Sequence, residues 1–588
     1  MTRWHIIRLA AEVRAGQRTA VEVASEVLQR LAAYDRVQPQ AWISRPAPED
    51  ILAAAQVIDA RIAAGEDLPL AGVPFAVKDN IDVAGMATTA ACPDFSYVAE
   101  DHAHVVARVL AAGALYVGKT NLDQFATGLN GTRSPYGAPA CVFNRAYISG
   151  GSSSGSSVAV GAGLVAFAFG TDTAGSGRVP AAFNHLTGFK PTKGRWSTSG
   201  LVPACRSLDC ISVFTASPAE AALIDEVVAG FDASDVYSRP LQDQARPMRV
   251  IGVPRDDQLN GCGDAQSARL FAAAMERLIA TGHEIVRLDI SSLSRAAALL
   301  YQGPWVAERT AALGDRPLNR PETMDPTVRD IVLGGLGITA VEAFKGQYEL
   351  AGFMRDAEAI WAQVDALMLP TAPTIYRIAE MQAAPIVLNA QLGLYTNFVN
   401  LLDMAAVAIP AGFRANGTGF GVTFMGPAWT DKALITIATT CEVAADFAVP
   451  PLDLDRETRM ETVKLAVVGA HLKDMPLHWQ LTSREAVFVT ATETAPTYRL
   501  YAMTHTTPPK PALIHDAGGA AIQVEVYELD VAAFGSFVAE VPAPLAIGTV
   551  TLSDGSEVKG FVAEPRAMEG AQDITALGGW RAYIAARA

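Results

Sequence analysis

Two serines in glycine-rich segments have the surroundings that most directly indicate chemistry. Ser176 lies in GTDTAGSGRVPA with glycine on both sides, and Ser152 lies in the run SGGSSSGSS. A serine at a helix start meets outward-pointing N–H groups, and the helix dipole favours developing negative charge there. Ser176 is therefore a candidate nucleophile beside an oxyanion hole. The structural alternatives are a helix N-cap for Ser176 and a flexible linker for the serine run, although linkers rarely continue into an apolar segment such as VAVGAGLVAFA.

A serine nucleophile needs a base, and three lysines at predicted strand ends could supply it: Lys78, Lys119 and Lys190. A free lysine has a pKa of about 10.4 and is a cation at neutral pH, which makes it useless as a base. Lys78 follows the apolar run 73–77, where desolvation disfavours the charged form and lowers the pKa. The other two lysines have similar contexts, so the residues alone do not choose among the three.

Two further motifs match known patterns but fit poorly in context. GALYVGKT satisfies the phosphate-loop pattern GxxxxGK[ST], yet its interior Ala-Leu-Tyr-Val favours a buried strand. We therefore predict a core strand that ends at Gly118. GSSSG, centred on Ser153, satisfies the nucleophile-elbow pattern GxSxG, which needs a histidine base later in the chain. His185 is the only histidine between that motif and residue 283, and no acid–histidine motif accompanies it.

Length and composition limit the class of protein. The chain has 588 residues, is 50% hydrophobic and 18% charged, and carries a formal net charge of −15. This length predicts more than one domain, and the negative charge argues against a nucleic-acid partner. Because the overall field repels anions, an anionic substrate requires a local cation. Six cysteines without a CxxC pair, no apolar leader and no apolar run of bilayer length predict a cytoplasmic protein without a membrane span.

The pattern along the chain predicts the elements that position these residues. VEVASEVLQRL, within residues 20–33, has the spacing of an amphipathic helix, and GVPFAVK is typical of a turn followed by a buried strand. Helix and strand signals then alternate, which predicts an α/β fold with a sheet covered on both faces. A helical run ends at Pro450-Pro451 and short strands follow, so we predict two domains, 1–455 and 456–588.

Five motifs in a fixed order resemble a known family. GVPFAVKDN, GKTNLDQFATG, GGSSSGSS, GTDTAGSGRVPA and GFKPTKG are together similar to the amidase-signature family, strongly over residues 70–215 and more weakly to about 450. TDTAGSGRVPA and NGTRSPYG are similar to its allophanate hydrolase branch, although Ala174-Gly175 replaces the more usual Gly-Gly. The resemblance implies an α/β amidase-signature domain with a central mixed sheet covered by helices.

The same resemblance implies a Ser–cis-Ser–Lys triad. It assigns Lys78 as base, Ser152 as the serine that follows a cis peptide bond to Gly151, and Ser176 as nucleophile. Backbone N–H groups in the segment before Ser176 would form the oxyanion hole, with the donors Thr173, Ala174 and Gly175.

The resemblance also implies how substrate is selected. YQGPWVAER is similar to the segment with which allophanate hydrolases contact substrate, and the matching positions are Tyr301 and Arg309. Arginine's planar fork suits a carboxylate, which allophanate carries. Asp172 and Arg178 flank the nucleophile, and we interpret them as an ion pair that holds the loop.

The second domain resembles the C-terminal domain of two-domain allophanate hydrolases, a small α/β domain similar in fold to γ-glutamyl cyclotransferases. VVGAHLKDMPLHWQL, TAPTYRLYAM and VYELDVAAFGSF carry this resemblance. It implies that His471 acts in decarboxylating the N-carboxycarbamate that the first domain releases. His478 lies close by in sequence, and a lone histidine in such a domain is often structural.

The resulting hypothesis is a homodimeric enzyme that converts allophanate to ammonia and carbon dioxide, without cofactor or metal, after a urea carboxylase. Two alternatives stay open. The first is an amidase of another amide, such as a glutamine-tRNA-type or fatty amide, against which Arg309 and the second domain argue. The second makes the C-terminal domain a module that acts only in assembly, and nothing in the sequence excludes it.

Overall fold

The computed structural model divides the chain into two compact units, Met1–Asp455 and Arg456–Ala588. The predicted domain boundary falls in residues 455–461, which lie outside the described part of the chain. Each unit has its own hydrophobic core. The structure describes residues 3–244, 246–259, 264–443, 448–454, 462–484, 486–503, 506 and 509–587.

Helices and strands alternate along the first unit. Its helices are α1 (Ile6–Arg14), α2 (Ala20–Tyr34), α3 (Pro48–Ala63), α4 (His104–Ala111), α5 (Ser154–Gly161), α6 (Val179–Phe183), α7 (Pro218–Val228), α8 (Ala265–Ala280), α9 (Ser291–Gln302), α10 (Trp305–Leu313), α11 (Arg316–Asn319), α12 (Pro326–Gly334), α13 (Ala340–Trp361), α14 (Ile378–Ala383), α15 (Val387–Leu392), α16 (Phe398–Leu401) and α17 (Asp431–Val443). Its strands are β1 (Trp42–Ser44), β2 (Pro74–Lys78), β3 (Ala87–Thr88), β4 (Tyr97–Val98), β5 (Leu115–Thr120), β6 (Phe167–Asp172), β7 (Thr187–Lys190), β8 (Cys210–Thr215), β9 (Val250–Pro254), β10 (Glu284–Leu288), β11 (Ala366–Pro370), β12 (Met404–Phe413) and β13 (Gly419–Pro427).

One mixed sheet of eleven strands organises this unit, in the order β1-β5-β2-β6-β8-β7-β12-β13-β11-β9-β10. Strand β2 pairs in parallel with β5 and with β6, whereas β6 pairs antiparallel with β8. This arrangement confirms the predicted α/β fold with a mixed sheet and helices. The carboxyl ends of β2, β5 and β6 meet at one edge of the sheet, since parallel neighbours end on the same side.

Both faces of the sheet are buried, which explains why its strands are apolar at almost every position. On β11, Ala366 and Met368 belong to one hydrophobic cluster, whereas Leu367 and Leu369 belong to the other. Successive side chains of a strand point to opposite faces, so each strand contributes to both clusters. A sheet covered on both faces selects such continuous apolar runs.

The local predictions near the amino terminus hold, with one shift at a strand end. VEVASEVLQRL lies within α2, which Thr19 starts through a capping box with Glu22. GALYVGKT contains the predicted strand, but β5 continues to Thr120 rather than ending at Gly118. The parallel ladder with β2 accounts for the difference, because Thr120 pairs with Lys78 at the end of that strand.

The second unit is smaller and rich in strands. The sequence pattern predicts a strand-rich unit, and each of the segments KLAVVGAHL, AVFVTATET, YRLYAMT, AIQVEVYEL and GTVTL contributes to a strand. The similarity to γ-glutamyl cyclotransferases stays a prediction. The strands of the second unit form the sheets β15-β18-β14-β20-β19 and β17-β16-β21. The elements are β14 (Thr462–Val467), α18 (Trp479–Thr482), β15 (Val487–Glu493), β16 (Tyr498–Met503), β17 (Lys510–His515), β18 (Gln523–Asp530), α19 (Val531–Ala539), β19 (Leu545–Thr551), β20 (Glu557–Ala563), β21 (Gln572–Asp573) and α20 (Trp580–Ala585). Across the described residues of both units, no helix combines the length and apolar character needed to cross a membrane.

Candidate active site

Lys78 and Ser152 are hydrogen-bonded at the carboxyl end of β2. Lys78 is the last residue of that strand and is fully buried. Its Nζ lies 2.7 Å from Ser152 Oγ, 3.0 Å from Ser153 Oγ and 2.6 Å from Thr171 Oγ1. All three partners are hydroxyls, which solvate an amine without supplying the negative charge that would hold it as a cation. Thr171 reaches the amine from β6, the parallel neighbour of β2.

Burial lowers the pKa of Lys78 to about 7. Loss of solvation is the largest cause, and the charges of Asp123, Asp209 and Asp172 act in the opposite direction without cancelling it. The apolar run before Lys78 predicted this direction, because a low-dielectric site disfavours the ammonium form. At neutral pH a substantial share of Lys78 is unprotonated, as a general base requires.

The structure separates Lys78 from the two lysines that the sequence left as alternatives. Lys119 Nζ forms a buried ion pair with Asp79 at 3.3 Å and donates to Thr88. Lys190 Nζ donates to the carbonyl oxygen of Pro191 at 2.7 Å. Neither of these amines is hydrogen-bonded to a serine of the glycine-rich loop in the described residues, whereas Lys78 contacts two.

The contacts of Ser153 agree with the sequence argument against a nucleophile elbow. Ser153 Oγ donates to Thr171 O and accepts from Thr171 N, each at 3.2 Å, so this hydroxyl fastens the loop to β6. The ring of His185, which such an elbow would require as a base, stacks on Phe413 with centroids 4.9 Å apart. Ser153 therefore has a structural place beside Lys78, and within the described residues its hydroxyl is hydrogen-bonded to Lys78 and Thr171 and to no histidine.

Ser176 lies in a turn that Asp172 organises from the end of β6. The carboxylate accepts from Gly175 N at 2.9 Å and from Gly177 N at 3.1 Å. It also receives two bonds from Arg178, at 2.8 Å from Nε and 2.9 Å from Nη2, and both side chains are fully buried. Burial favours the neutral acid, but the guanidinium charge holds the pKa of Asp172 below its ordinary value. Asp172 and Arg178 thus form the ion pair that was predicted to hold this loop.

The prediction that Ser176 starts a helix is wrong. Helix α6 begins at Val179, with Arg178 at the N-cap position, and it has five residues. Arg178 N and Val179 N both donate to Gly175 O, at 2.9 and 2.8 Å, so Ser176 lies in a tight turn that precedes the helix. A helix dipole and an N-cap bond therefore do not account for Ser176.

One of the predicted oxyanion donors is already used. Gly175 N–H points to Asp172 Oδ1, so its assignment to the oxyanion hole is corrected. The N–H groups of Thr173, Ala174 and Ser176 show no hydrogen bond within the described residues. These three N–H groups are therefore donors that the protein itself does not use in the described residues.

The glycine-rich loop that supplies Ser152 has a tightly packed backbone. The peptide bond between Gly151 and Ser152 is cis, as the family resemblance implied. A side chain at Gly151 would collide with the carboxylate of Asp123 and with Gly131 N. Asp123 in turn accepts from Gly131 N at 3.0 Å and from Arg133 N at 3.0 Å. Glycine is therefore required where this loop passes the buried carboxylate.

A two-residue segment joins the candidate nucleophile to Arg309. Ser176 Oγ donates to Gly128 O at 3.4 Å, and the adjacent residue, Thr127, accepts from Arg309 Nη1 at 3.2 Å through its hydroxyl. Consecutive Cα atoms lie about 3.8 Å apart. The Ser176 hydroxyl and the Arg309 guanidinium therefore contact adjacent residues, although residues 176 and 309 lie 133 positions apart in sequence.

Arg309 and Tyr301 lie together, as predicted for residues that contact one substrate. Arg309 is 1% exposed; its Nη2 donates to Tyr301 Oη at 3.2 Å, and its guanidinium lies 4.9 Å from the centre of the Tyr301 ring. Burial opposes the charge, but Tyr301 and nearby acidic groups raise the pKa of Arg309 above its ordinary value. Its Nε has no hydrogen-bond partner, and it forms no ion pair within the described residues.

An open cavity lies against Tyr301, and Arg309 is not among the side chains that line it. It has a volume of about 430 Å³, and Tyr301, Arg133 and Asn389 are among the side chains that line it. Asn389 Oδ1 accepts from Leu129 N, the residue that follows Gly128, at 2.8 Å. The cavity therefore borders the same loop that carries the contacts of Ser176 and Arg309.

His471 lines a separate cavity of about 240 Å³ in the second unit. Its Nε2 lies 2.7 Å from Gln480 Oε1, and its ring stacks on Phe561 at 5.1 Å. Burial lowers the pKa of His471, and the charges of Lys510 and His478 act in the same direction. His478 instead contacts Tyr527 Oη at 3.1 Å and does not line this cavity. The structure thus distinguishes the two histidines that the sequence left side by side.

Comparison with known protein families finds a matching family model for each of the two units. The family model named Amidase matches residues 22–435, which cover the large sheet and the whole Lys78 site. The chain belongs to the amidase family. The second unit of this amidase matches the model named Allophanate hydrolase C-terminal domain over residues 463–585.

Individual relatives of this amidase are similar over most or all of the chain. Urea amidolyase of Saccharomyces cerevisiae is 41% identical over 96% of the chain, which corresponds to 32% of the length of that relative. The chain spans about a third of the curated urea amidolyases it matches. A crystal structure of allophanate hydrolase from Kluyveromyces lactis is 39% identical, covers 100% of both chains and superimposes with a TM-score of 0.71. Peptide amidase from Stenotrophomonas maltophilia is 26% identical, covers 76% of this chain and 98% of its own, and superimposes with a TM-score of 0.65.

Sequence reasoning missed two contributors to the amidase site. Thr171 lies next to Asp172 in GTDTAGSGRVPA, and it is the third hydroxyl around Lys78; its place at the end of a strand parallel to β2 could have indicated it. Thr127 and Gly128, which link Ser176 to Arg309, lie in GKTNLDQFATG. That motif carries part of the family resemblance, but nothing in its spacing points to residue 309.

Proposed function

We propose that this amidase hydrolyses allophanate, the carboxylate-bearing amide, to ammonia and N-carboxycarbamate. The proposal rests on the environment of Arg309, a buried cation that forms no ion pair in the described residues. Its guanidinium contacts Thr127, and Ser176 contacts the next residue, Gly128. A desolvated guanidinium that forms no ion pair with a protein carboxylate is suited to a substrate carboxylate. The net charge of −15 makes such a local cation necessary for an anionic substrate. The likeness to allophanate hydrolase from K. lactis along the full chain supports the same substrate.

In this mechanism Lys78 is the base and Ser176 the nucleophile. The neutral amine accepts a proton through Ser152, which already lies 2.7 Å from it, and Ser176 Oγ attacks the amide carbonyl. Ser176 Oγ donates to Gly128 O in this structure, so the mechanism requires this hydroxyl to turn toward Ser152. The proton returns to the leaving nitrogen, ammonia departs, and water releases the acyl group by the same path. Thr171 and Ser153 keep the Lys78 amine in place through their hydroxyls.

The oxyanion in this mechanism is held by backbone N–H groups of the Asp172 turn. Thr173, Ala174 and Ser176 supply the donors, since Gly175 donates to the Asp172 carboxylate. Each fixed donor of this kind contributes about 3–4 kcal/mol to transition-state stabilisation in other hydrolases. Asp172 and Arg178 act by fixing the turn and do not contact the substrate.

The proposal extends to the second unit and the setting of the enzyme. The C-terminal unit promotes decarboxylation of N-carboxycarbamate through His471, and the match to an allophanate hydrolase C-terminal domain supports this role. The substrate is supplied by a urea carboxylase, which the likeness to urea amidolyases supports. A cytoplasmic homodimer completes the proposal; the five cysteines in the described residues are all free thiols, which suits a reducing compartment.

The test compares allophanate with biuret, in which a neutral carboxamide replaces the carboxylate. We expect ammonia release from allophanate with a kcat/KM at least tenfold above that for biuret. An enzyme that prefers biuret or an unrelated small amide would contradict the proposed substrate. It would leave the Lys78–Ser152–Ser176 assignment to be tested by the variants below.

A further inference from the structure

The cavity at His471 contains a chain of hydrogen bonds that fixes the state of the imidazole. His471 Nε2 contacts Gln480 Oε1 at 2.7 Å, and Gln480 Nε2 donates to Glu540 Oε2 at 3.3 Å. A carboxylate only accepts hydrogen bonds, so the amide of Gln480 must direct its NH₂ to Glu540 and its oxygen to His471. His471 therefore carries its proton on Nε2. The ring atom left as an acceptor is Nδ1.

The charge of Glu540 in this cavity is already compensated. Arg484 Nη2 donates to Glu540 Oε1 at 2.6 Å, and Arg484 also donates to Ser536. Glu540 is thus occupied by one guanidinium and one amide. Glu540 orients Gln480, and its negative charge is balanced without the second cation of the cavity.

That second cation is Lys510, at the first position of β17. Lys510 lines the cavity together with His471 and is half-buried. No hydrogen bond or ion pair of its ammonium group occurs within the described residues. Its charge is close enough to His471 to lower the pKa of the imidazole. The cavity therefore has one unpaired positive charge beside one imidazole with a fixed acceptor.

We propose that the His471 cavity is a binding site for a small dicarboxylate, with Lys510 as the residue that binds a carboxylate and Gln480 as the residue that positions His471. Ammonium and carboxylate form a strong charge-assisted pair where water is partly excluded. A ligand with an N–H group between two carboxylates places its donor within reach of His471 Nδ1. N-carboxycarbamate has this chemistry, so the inference rests on the proposed function of the second unit and adds the residue that holds the substrate there.

Phe537 and Phe561 enclose the His471 ring on the cavity wall. Both rings contact the His471 imidazole, with centroids 5.1 Å away in each case. Pro511, Pro542 and Leu545 are also among the apolar side chains of the cavity wall. The cavity volume of about 240 Å³ suits a small ligand such as a dicarboxylate.

The experiment uses malonate, in which a methylene group replaces the central NH of N-carboxycarbamate. Malonate is titrated calorimetrically into the full-length protein carrying Arg309→Met, so that the amidase-site cation does not contribute. We expect binding in this protein, at least a tenfold weaker affinity when Lys510→Met is added, and less than a twofold change when Lys559→Met is added. Lys559 is an exposed lysine on β20 that donates to Thr549 and does not line the cavity.

A second measurement covers the case in which Arg309→Met fails to fold. In the otherwise unchanged protein, malonate should shift the ring NMR signals of His471, and Lys510→Met should remove this shift. Absence of malonate binding, or equal affinities of the Lys510→Met and Lys559→Met proteins, overturns the inference.

Carbon dioxide release from allophanate separates this inference from the proposed decarboxylation. If His471→Ala releases carbon dioxide without delay while malonate binding still depends on Lys510, the cavity binds dicarboxylates and the decarboxylation proposal fails. If His471→Ala delays carbon dioxide but Lys510→Met binds malonate normally, decarboxylation stands and Lys510 loses its assigned role.

Discussion

Lys78 Nζ lies 2.7 Å from Ser152 Oγ, although the two residues are 74 positions apart in sequence. The contact joins the last residue of a buried strand to a loop whose backbone passes a buried carboxylate. It gives a lysine of lowered pKa a hydroxyl through which a proton can move. The proposed amide hydrolysis depends on this contact and on the Asp172 turn that presents Ser176.

Ser176→Ala should abolish ammonia release from allophanate while leaving the fold intact. The change removes one hydroxyl, whose bond to Gly128 O is long at 3.4 Å. We expect a fall in kcat of ~10³-fold or more, as for loss of other serine nucleophiles. Ammonia assays and circular dichroism are the measurements, with Ser157→Ala as the matched control because its hydroxyl bonds to Ser154 O and Asn184. Residual activity above about one-tenth of wild type would rule out Ser176 as nucleophile.

The rate should depend on the protonation of Lys78. Because the base must be neutral and its pKa is lowered to about 7, kcat/KM should rise with pH through about 7 and then level off. Below that pH the ammonium form predominates and the rate falls about tenfold per pH unit. Lys78→Ala and Lys78→Arg should both be inactive, since arginine stays charged. An active Lys78→Ala enzyme together with an inactive Lys119→Ala enzyme would show that Lys119 is the base.

Arg309→Lys should affect allophanate far more than biuret. Lysine keeps the charge but loses the planar fork and the bond that holds Tyr301. Charged hydrogen bonds contribute about 1.5–3 kcal/mol, which corresponds to a loss of about 10- to 100-fold in kcat/KM for allophanate. Biuret turnover should change less than about threefold, since it offers no carboxylate. Equal losses in kcat/KM for both substrates would indicate that Arg309 has a purely structural role.

The two units should be separable in function. A chain ending at residue 455 retains the residues of the Lys78 site and Arg309, so it should release ammonia from allophanate. Carbon dioxide should lag behind ammonia, because N-carboxycarbamate then decomposes unaided. His471→Ala in the full chain should reproduce the lag, which rapid mixing with ¹³C-labelled allophanate can follow. Identical time courses for the two gases in all three proteins would make the second unit an assembly module.

The sequence alone predicted most of the fold of this amidase. Apolar strands such as FAVK and helices such as α2 are encoded in local periodicity, which depends on neighbours a few positions away. The order of the motifs around Lys78, Ser152 and Ser176 carried the family resemblance that implied the triad. The direction of the Lys78 pKa shift also followed from the apolar run before it.

Tertiary structure decided which residues lie together. Residue type and spacing alone did not separate three lysines at strand ends, whereas β2 and β6 place Lys78 among hydroxyls and Lys119 lies next to Asp79. The Asp172 carboxylate, rather than a helix end, proved to organise the turn of Ser176.

The sequence likewise did not predict the hydrogen bond between Arg309 and Thr127, nor that Lys510 lines the same cavity as His471. The physical reason is that periodicity and motif order encode local backbone conformation. Desolvation, ion pairing and proton transfer depend instead on distances between residues far apart in the chain, and those distances exist only after the sheets have formed.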